Sequence, residues 1–164
     1  MADPPTTSVA EQVIAIVVSR LAAGRPIGIP PLERDRVMDL DQPSLPAMLL
    51  AAYEERLPRA QDLGIEKDAD DGVEERSLAL HFGLYAQAGE GQSATQATDA
   101  MAVWIVRQLC GEVGSESPFY GLADRLRPGA RMSQLAKAAA PFCVTALEII
   151  VSTSYLTNDL TRRR

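Results

Sequence analysis

The chain has 164 residues, 46% of them hydrophobic, enough for one domain whose core needs neither metal nor disulfide to hold it together. Sixteen basic against twenty-two acidic side chains leave a net charge of −6, which argues against the broad basic face that DNA-binding domains usually show. No apolar run approaches the roughly 18 residues that span a bilayer, and "MADPPTTS" has neither the basic nor the apolar region of a secretion signal.

The first element is a helix. Ser8 and Glu11 have capping-box spacing, and Val9, Val13, Ile16, Val17 and Leu21 form one apolar stripe. Gly24 is placed to end the helix with a positive φ. "RPIGIPP" cannot continue it, because proline removes donors and fixes φ. "LERDRVMDL" then reads as an edge strand with charged side chains, and "LPAMLLAAYEE" as a second strand entered through proline. Asp62–Glu75, "DLGIEKDADDGVEE", is charged, punctuated by glycine and without period, so it predicts an exposed hairpin loop.

Leu78, Leu80, Phe82 and Leu84 alternate with Ala79, His81, Gly83 and Tyr85, the pattern of a strand with one apolar face. After "AGEGQ" the period changes. Ser93 and Gln96 form a second capping box, and Ala97, Ala100, Met101, Trp104, Ile105 and Leu109 line one face of a helix ending near Gly111 or Gly114. Ser115–Arg131 reads as a turn region anchored by Phe119, Tyr120, Leu122 and Leu126. "FCVTALEIIVSTSYLT" is the clearest strand, with Cys143, Thr145, Leu147, Ile149, Val151, Thr153 and Tyr155 on one side. The whole predicts an α/β (α+β) domain over residues 1–164. A mainly antiparallel sheet of about four strands packs on two main helices, with flexible tails at 1–7 and 159–164.

Catalysis by histidine needs a nucleophile or an orienting carboxylate nearby. His81, the sole histidine, has no such neighbour in sequence and reads as structural or exposed. Cys110 and Cys143 are far apart, so with one histidine they offer no preorganised zinc site, and reduced thiols are the expectation. The glycines Gly89 and Gly91 precede a helix N-terminus, but no G-x-G-x-x-G or G-K-[ST] follows and Glu90 would repel phosphate. With Asp68 as first calcium ligand, Val73 falls on the required glycine and Ala79 on the bidentate glutamate, so "DADDG" is a solvated turn. Trp104 lies on an apolar stripe and reads as core. No catalytic residue, metal or cofactor is predicted, which leaves the surface charges. These are the acidic loop and the terminal Arg162, Arg163 and Arg164, either a soluble tail or a contact for an acidic partner or DNA.

"LPA" leading an apolar strand, "E-R" before an alternating strand, "A-x-D-A" opening the second helix and a last strand running into Tyr155-Leu156-Thr157 follow one another along the chain. In these four places it resembles the tail terminator proteins of long-tailed bacteriophages. The resemblance covers roughly residues 8 to 158, and "AAPFCV" departs from the more polar turn of that family. It implies helices on a mainly antiparallel sheet and a hexameric ring in the virion, at the head-proximal end of the tail tube, assembled in the host cytoplasm. Its partners would be copies of itself, the tail tube protein and a head-completion (connector) protein. Genomic DNA would pass the lumen without specific binding, and no membrane would be involved. Asp62, Glu66, Lys67, Asp68, Asp70, Asp71, Glu74, Arg162, Arg163 and Arg164 are the expected interaction residues. The alternatives are a neck or head-completion protein, a small cytosolic enzyme with a site assembled from distant residues, and a non-viral oligomeric adaptor.

Overall fold

Both helices begin at a serine, and the two caps differ. In the computed structural model, which describes residues 7–39, 44–56, 73–111, 122–123, 125–137, 141–156 and 159–163, helix α1 spans Val9–Ala22 and α2 spans Ala94–Cys110. At α2 the box is complete: the Gln96 N–H donates to Ser93 Oγ at 3.2 Å, and the Ser93 N–H donates to Gln96 Oε1 at 2.8 Å. At α1 only half of it forms, with the Glu11 N–H on Ser8 Oγ at 3.2 Å. The Glu11 carboxylate turns instead to Arg34 at 2.7 Å, tying α1 to the first strand. The Arg34 hydrogen bond holds the Glu11 carboxyl below its usual range against the opposing effect of partial burial. Gly24 takes φ +64° as expected, and Gly111 follows α2 directly.

Six strands form one sheet: β1 Leu32–Arg34, β2 Ala47–Arg56, β3 Val73–Gln87, β4 Arg125–Ala136, β5 Phe142–Leu156 and β6 Asp159–Arg163. The spatial order is β1-β2-β3-β5-β4, and β6 pairs with β5. Among the described residues only the β1–β2 pairing is parallel. The class is therefore the expected one, with two more strands than the roughly four predicted.

Alternation decides which side is core. Leu78, Leu80, Phe82 and Leu84 of β3, with Leu147, Ile149 and Val151 of β5, are buried against Val13, Ile14 and Val17 of α1 and Met101, Trp104 and Ile105 of α2. Each such side chain withdrawn from water contributes about 1.5–3 kcal/mol. Both helices thus cover the same face of the sheet. β2 changes character midway, because a bulge at Ala51 follows the buried run Ala47–Leu50 and the remainder is largely exposed. Met48 and Leu50 enter the main core, whereas Ala47 and Leu49 point to the other face and pack under Met38 and Tyr85.

Several expectations need correction. The turn region 115–131 contains much of a strand, because Arg125–Arg131 opens β4, which pairs along β5 despite Pro128 and Gly129. Leu122 and Leu126 do pack on the core, while Phe119 and Tyr120 lie outside the described residues. The edge strand expected over 32–40 stops at Arg34, where Asp35 takes φ +59°. Of the expected loop Asp62–Glu75, the last three residues, 73–75, belong to β3; the rest lies outside the described residues. Within the expected tail 159–164, residues 159–163 form β6, whose pairing to β5 supplies the backbone order that the sequence pattern did not suggest. In α1, Ile14 and Ala10 are buried and Ile16 is only half-buried, so the stripe is rotated toward residues 10 and 14.

Candidate interaction face

The sheet face turned away from the helices carries Ala52, Glu54 and Arg56 of β2, and Ala79, His81, Gly83 and Tyr85 of β3. Beside them lie Val144, Ala146, Glu148 and Ile150 of β5, with Arg127, Met132 and Gln134 of β4. Ala52, Ala79, Gly83 and Ala146 are small, and Arg56, His81, Tyr85, Val144, Glu148 and Ile150 are half-exposed. Met132 is the prominent apolar residue, 65% exposed beside Ala146.

A charged link crosses this face. Glu148, with a side chain only 13% exposed, accepts from Arg56 Nη2 at 2.9 Å and from the Ala130 N–H at 3.2 Å. Arg56 also donates to Glu54 Oε2 from Nε and Nη2, at 3.1 and 2.9 Å, and this bond holds the Glu54 carboxyl below its usual range. The carboxylate of β5 is therefore bound from β2 on one side and from β4 on the other, over β3. Two local features make room for it. A bulge between Pro128 and Arg131 releases the Ala130 amide from the ladder, and Gly129 supplies the space, since a Cβ there would lie 2.2 Å from Glu148 Oε2. Nothing in the sequence analysis singled out this link. The available signal was Glu148 itself, a charge inside "VTALEIIV", which a central strand tolerates only with partners.

On the helix side a relay of hydroxyls joins α2 to the sheet. Ser133 Oγ and Thr145 Oγ1 are 2.8 Å apart, Thr145 Oγ1 donates to Thr98 Oγ1 at 2.9 Å, and Thr98 Oγ1 donates to the Thr95 carbonyl at 3.1 Å. Cys143 Sγ lies 3.5 Å from Thr98 Oγ1. Thr98 and Thr145 are fully buried. His81 faces the opposite side of the sheet, so the single histidine cannot act as base to any of these groups. Burial pushes the Cys110 thiol up, away from the thiolate that nucleophilic chemistry needs. The relay is a packing device: Thr145→Val should cost about 1–3 kcal/mol by leaving a buried hydroxyl unmatched, measured by urea unfolding, and an unchanged midpoint would show that the relay contributes nothing.

The glycine loop closes on itself, with the Gly89 N–H on the Gln92 carbonyl at 2.9 Å and Gly91 at φ +71°. With the Gln96 amide on Ser93 Oγ, the loop is a connector into α2, as read from sequence. A shallow recess of about 390 Å³ beside it, lined by Ile29, Pro46, Ala86, Gln87, Gln92 and Met101 among others, has no ionisable side chain in its wall. Trp104 is in the core at 9% exposure. Among the described residues no group of three or more His, Cys, Asp or Glu is placed to hold a metal, and no helix is long and apolar enough to cross a membrane.

Of the expected interaction residues, Asp62, Glu66, Lys67, Asp68, Asp70, Asp71 and Arg164 lie outside the described residues. Glu74 is a β3 residue opposite Tyr155 of β5, and Arg163 of β6 also pairs with Tyr155, with Arg162 beside it. Glu74 and Arg163 thus flank the same end of β5. Compared with known proteins, the chain matches no family model and no curated protein.

Proposed function

We propose that this chain is a structural virion protein, the tail terminator of a long-tailed bacteriophage. In this reading six copies form a ring on the head-proximal end of the tail tube, stop its polymerisation and present the surface to which a filled head joins. The observation that carries the reading is the two-layer arrangement: both helices cover one face of an open, mainly antiparallel sheet. The other face carries a few small side chains among larger polar ones and is braced by Arg56–Glu148–Ala130. A face that among the described residues is covered only where Met38 packs on Ala47 and Leu49 is suited to contact with other subunits. The order of elements, with "LPA" entering β2 and "A-x-D-A" in the first turns of α2, supports the same assignment. A terminator must close its own lateral contacts while accepting tube on one side only, and a repeated head-to-tail contact that closes on itself satisfies the first condition. The net charge of −6 suits a ring through which DNA slides without being held.

Electron microscopy of lysates made without the protein tests this. The expected result is filled heads, free tails and tubes that overrun their normal length. Tails of normal length already attached to heads would overturn the assignment and favour another neck component.

A further inference from the structure

We propose that the outer edge of β4 over Arg131–Ala136 pairs antiparallel with the outer edge of β2 over Ala51–Arg56 in a second copy of this chain, joining copies head to tail. The inference deepens the ring reading and rests on it for closure at six.

Both edges are open over matching lengths. β1 covers β2 only at Met48–Leu50, and β4 pairs with β5 alone, so among the described residues each outer strand presents to one side the backbone N–H and C=O of every second residue over a six-residue stretch. Natural sheets blunt such edges with proline, bulges and charge. Here the proline and the bulge sit at Pro128–Ala130, and below them Arg131–Ala136 is in regular register with β5 and carries Met132 and Leu135, each 65% exposed. An unguarded edge with two exposed apolar side chains calls for a partner strand.

Strand direction selects the geometry. β2 is antiparallel to β3, β3 to β5 and β5 to β4, so β2 and β4 run in opposite directions. A neighbour brought alongside without being turned over therefore sets its β2 antiparallel to β4, the favoured hairpin-like ladder. In that pairing the order of side chains matches. With like faces together, Leu135 meets Tyr53 on the helix side, Met132 meets Arg56 on the other, and Arg131, two residues before Ser133, lies diagonal to Glu55.

Charge over the whole edge agrees. From Arg125 to Lys137 there are four bases and no acid. β3 occupies one side of β5 along its length, so the backbone of β6 pairs on the β4 side. On the other side, β2 carries Glu54 and Glu55 beside Arg56, whose guanidinium is bound by Glu54 and by Glu148 of its own chain. Opposite charge on opposite edges favours a heterologous contact, the kind that closes into rings.

Single cysteines placed by Tyr53→Cys or Leu135→Cys in a Cys110→Ser background, treated with a short bifunctional thiol reagent, test the pairing. A mixture of the two variants should give cross-linked dimer at least tenfold more efficiently than either alone. By light scattering, Glu54→Arg with Glu55→Arg, or Arg127→Glu with Arg131→Glu, should each weaken self-association at least tenfold, and all four changes in one chain should restore it. Cross-linking of Leu135→Cys to itself would mean a two-fold β4–β4 dimer and would overturn the proposal. So would a hexamer lacking the mixed cross-link, although the ring reading would then stand. The mixed cross-link in assemblies of another size would support the interface and count against the ring of six. A chain that stays monomeric at its highest soluble concentration would overturn the pairing.

Discussion

Trp104→Ala should lower the free energy of unfolding by about 3–5 kcal/mol, the range for removing a large aromatic from a packed core. Trp104 sits on α2 facing the sheet, in the cluster that includes Leu80, Phe82, Ile149 and Met101. Deleting the indole removes its apolar area from the core and leaves a cavity that two strands held by backbone pairing on both sides cannot close. A domain of this size usually has only about 5–15 kcal/mol of stability, so the variant should unfold at much lower urea concentration with a similar slope. A loss below about 1 kcal/mol would show that α2 does not depend on this contact for its seat on the sheet. The consequence for function is indirect. A loosened α2 disturbs β4 through Asp99, which binds Arg131, and through the Thr98–Thr145–Ser133 relay.

What could be read from sequence divides along a physical line. Wherever an element carries its own hydrophobic period, the type of element is read correctly, although the buried stripe of α1 is rotated and Ala100 of α2 is exposed. β3 and β5 alternate and one side of each is core; α2 is capped by Ser93 and Gln96 and buries Trp104 and Ile105. β4 has no such signature. Its twelve residues include Pro128, Gly129, Arg125, Arg127 and Arg131, and nearly all are exposed or half-exposed. It is a strand because β5 beside it offers a free row of donors and acceptors, and no local propensity reports that. β6 is another strand made by its neighbour, and β1 is fixed by a parallel ladder of three residues.

The same distinction applies to the surface. The expected interaction residues were chosen by charge density, and of these the described structure places only Glu74, Arg162 and Arg163. Charge density locates solvated segments well, but it does not say which face of a strand a residue occupies or which edge its strand forms. Arg56 and Glu148 are far apart in sequence and become partners only when β2 and β5 flank β3. Glu11 illustrates the limit at short range. Its spacing from Ser8 fits a capping box, yet Arg34 competes for the carboxylate and wins, because a charged partner binds it more strongly than a backbone amide.

Gly129→Ala should cost about 1–3 kcal/mol in the otherwise unchanged chain, the range for breaking a partly buried ionic and hydrogen-bonded link. The new methyl would fall 2.2 Å from Glu148 Oε2 and 2.9 Å from its Cδ, so the carboxylate must swing away. Moving the end of a flexible side chain is itself cheap. The cost lies in what the carboxylate gives up, which is Arg56 at 2.9 Å and the Ala130 amide at 3.2 Å, at a position where its side chain is 13% exposed. Backbone strain does not enter, since Gly129 is not among the glycines with positive φ. That permits a sharper test in a Glu148→Ala background. With no carboxylate to displace, the same Gly129→Ala change should be neutral or stabilise by about 0.4–1 kcal/mol, because alanine restricts the unfolded chain more than glycine does. Urea unfolding of the four variants gives the coupling directly. Equal costs in both backgrounds would mean that Gly129 serves the bulge alone and that the link from β2 to β4 does not brace the open face. A change of sign would tie the shape of that face to one carboxylate, and would predict that Glu148→Ala weakens assembly even where the monomer remains folded.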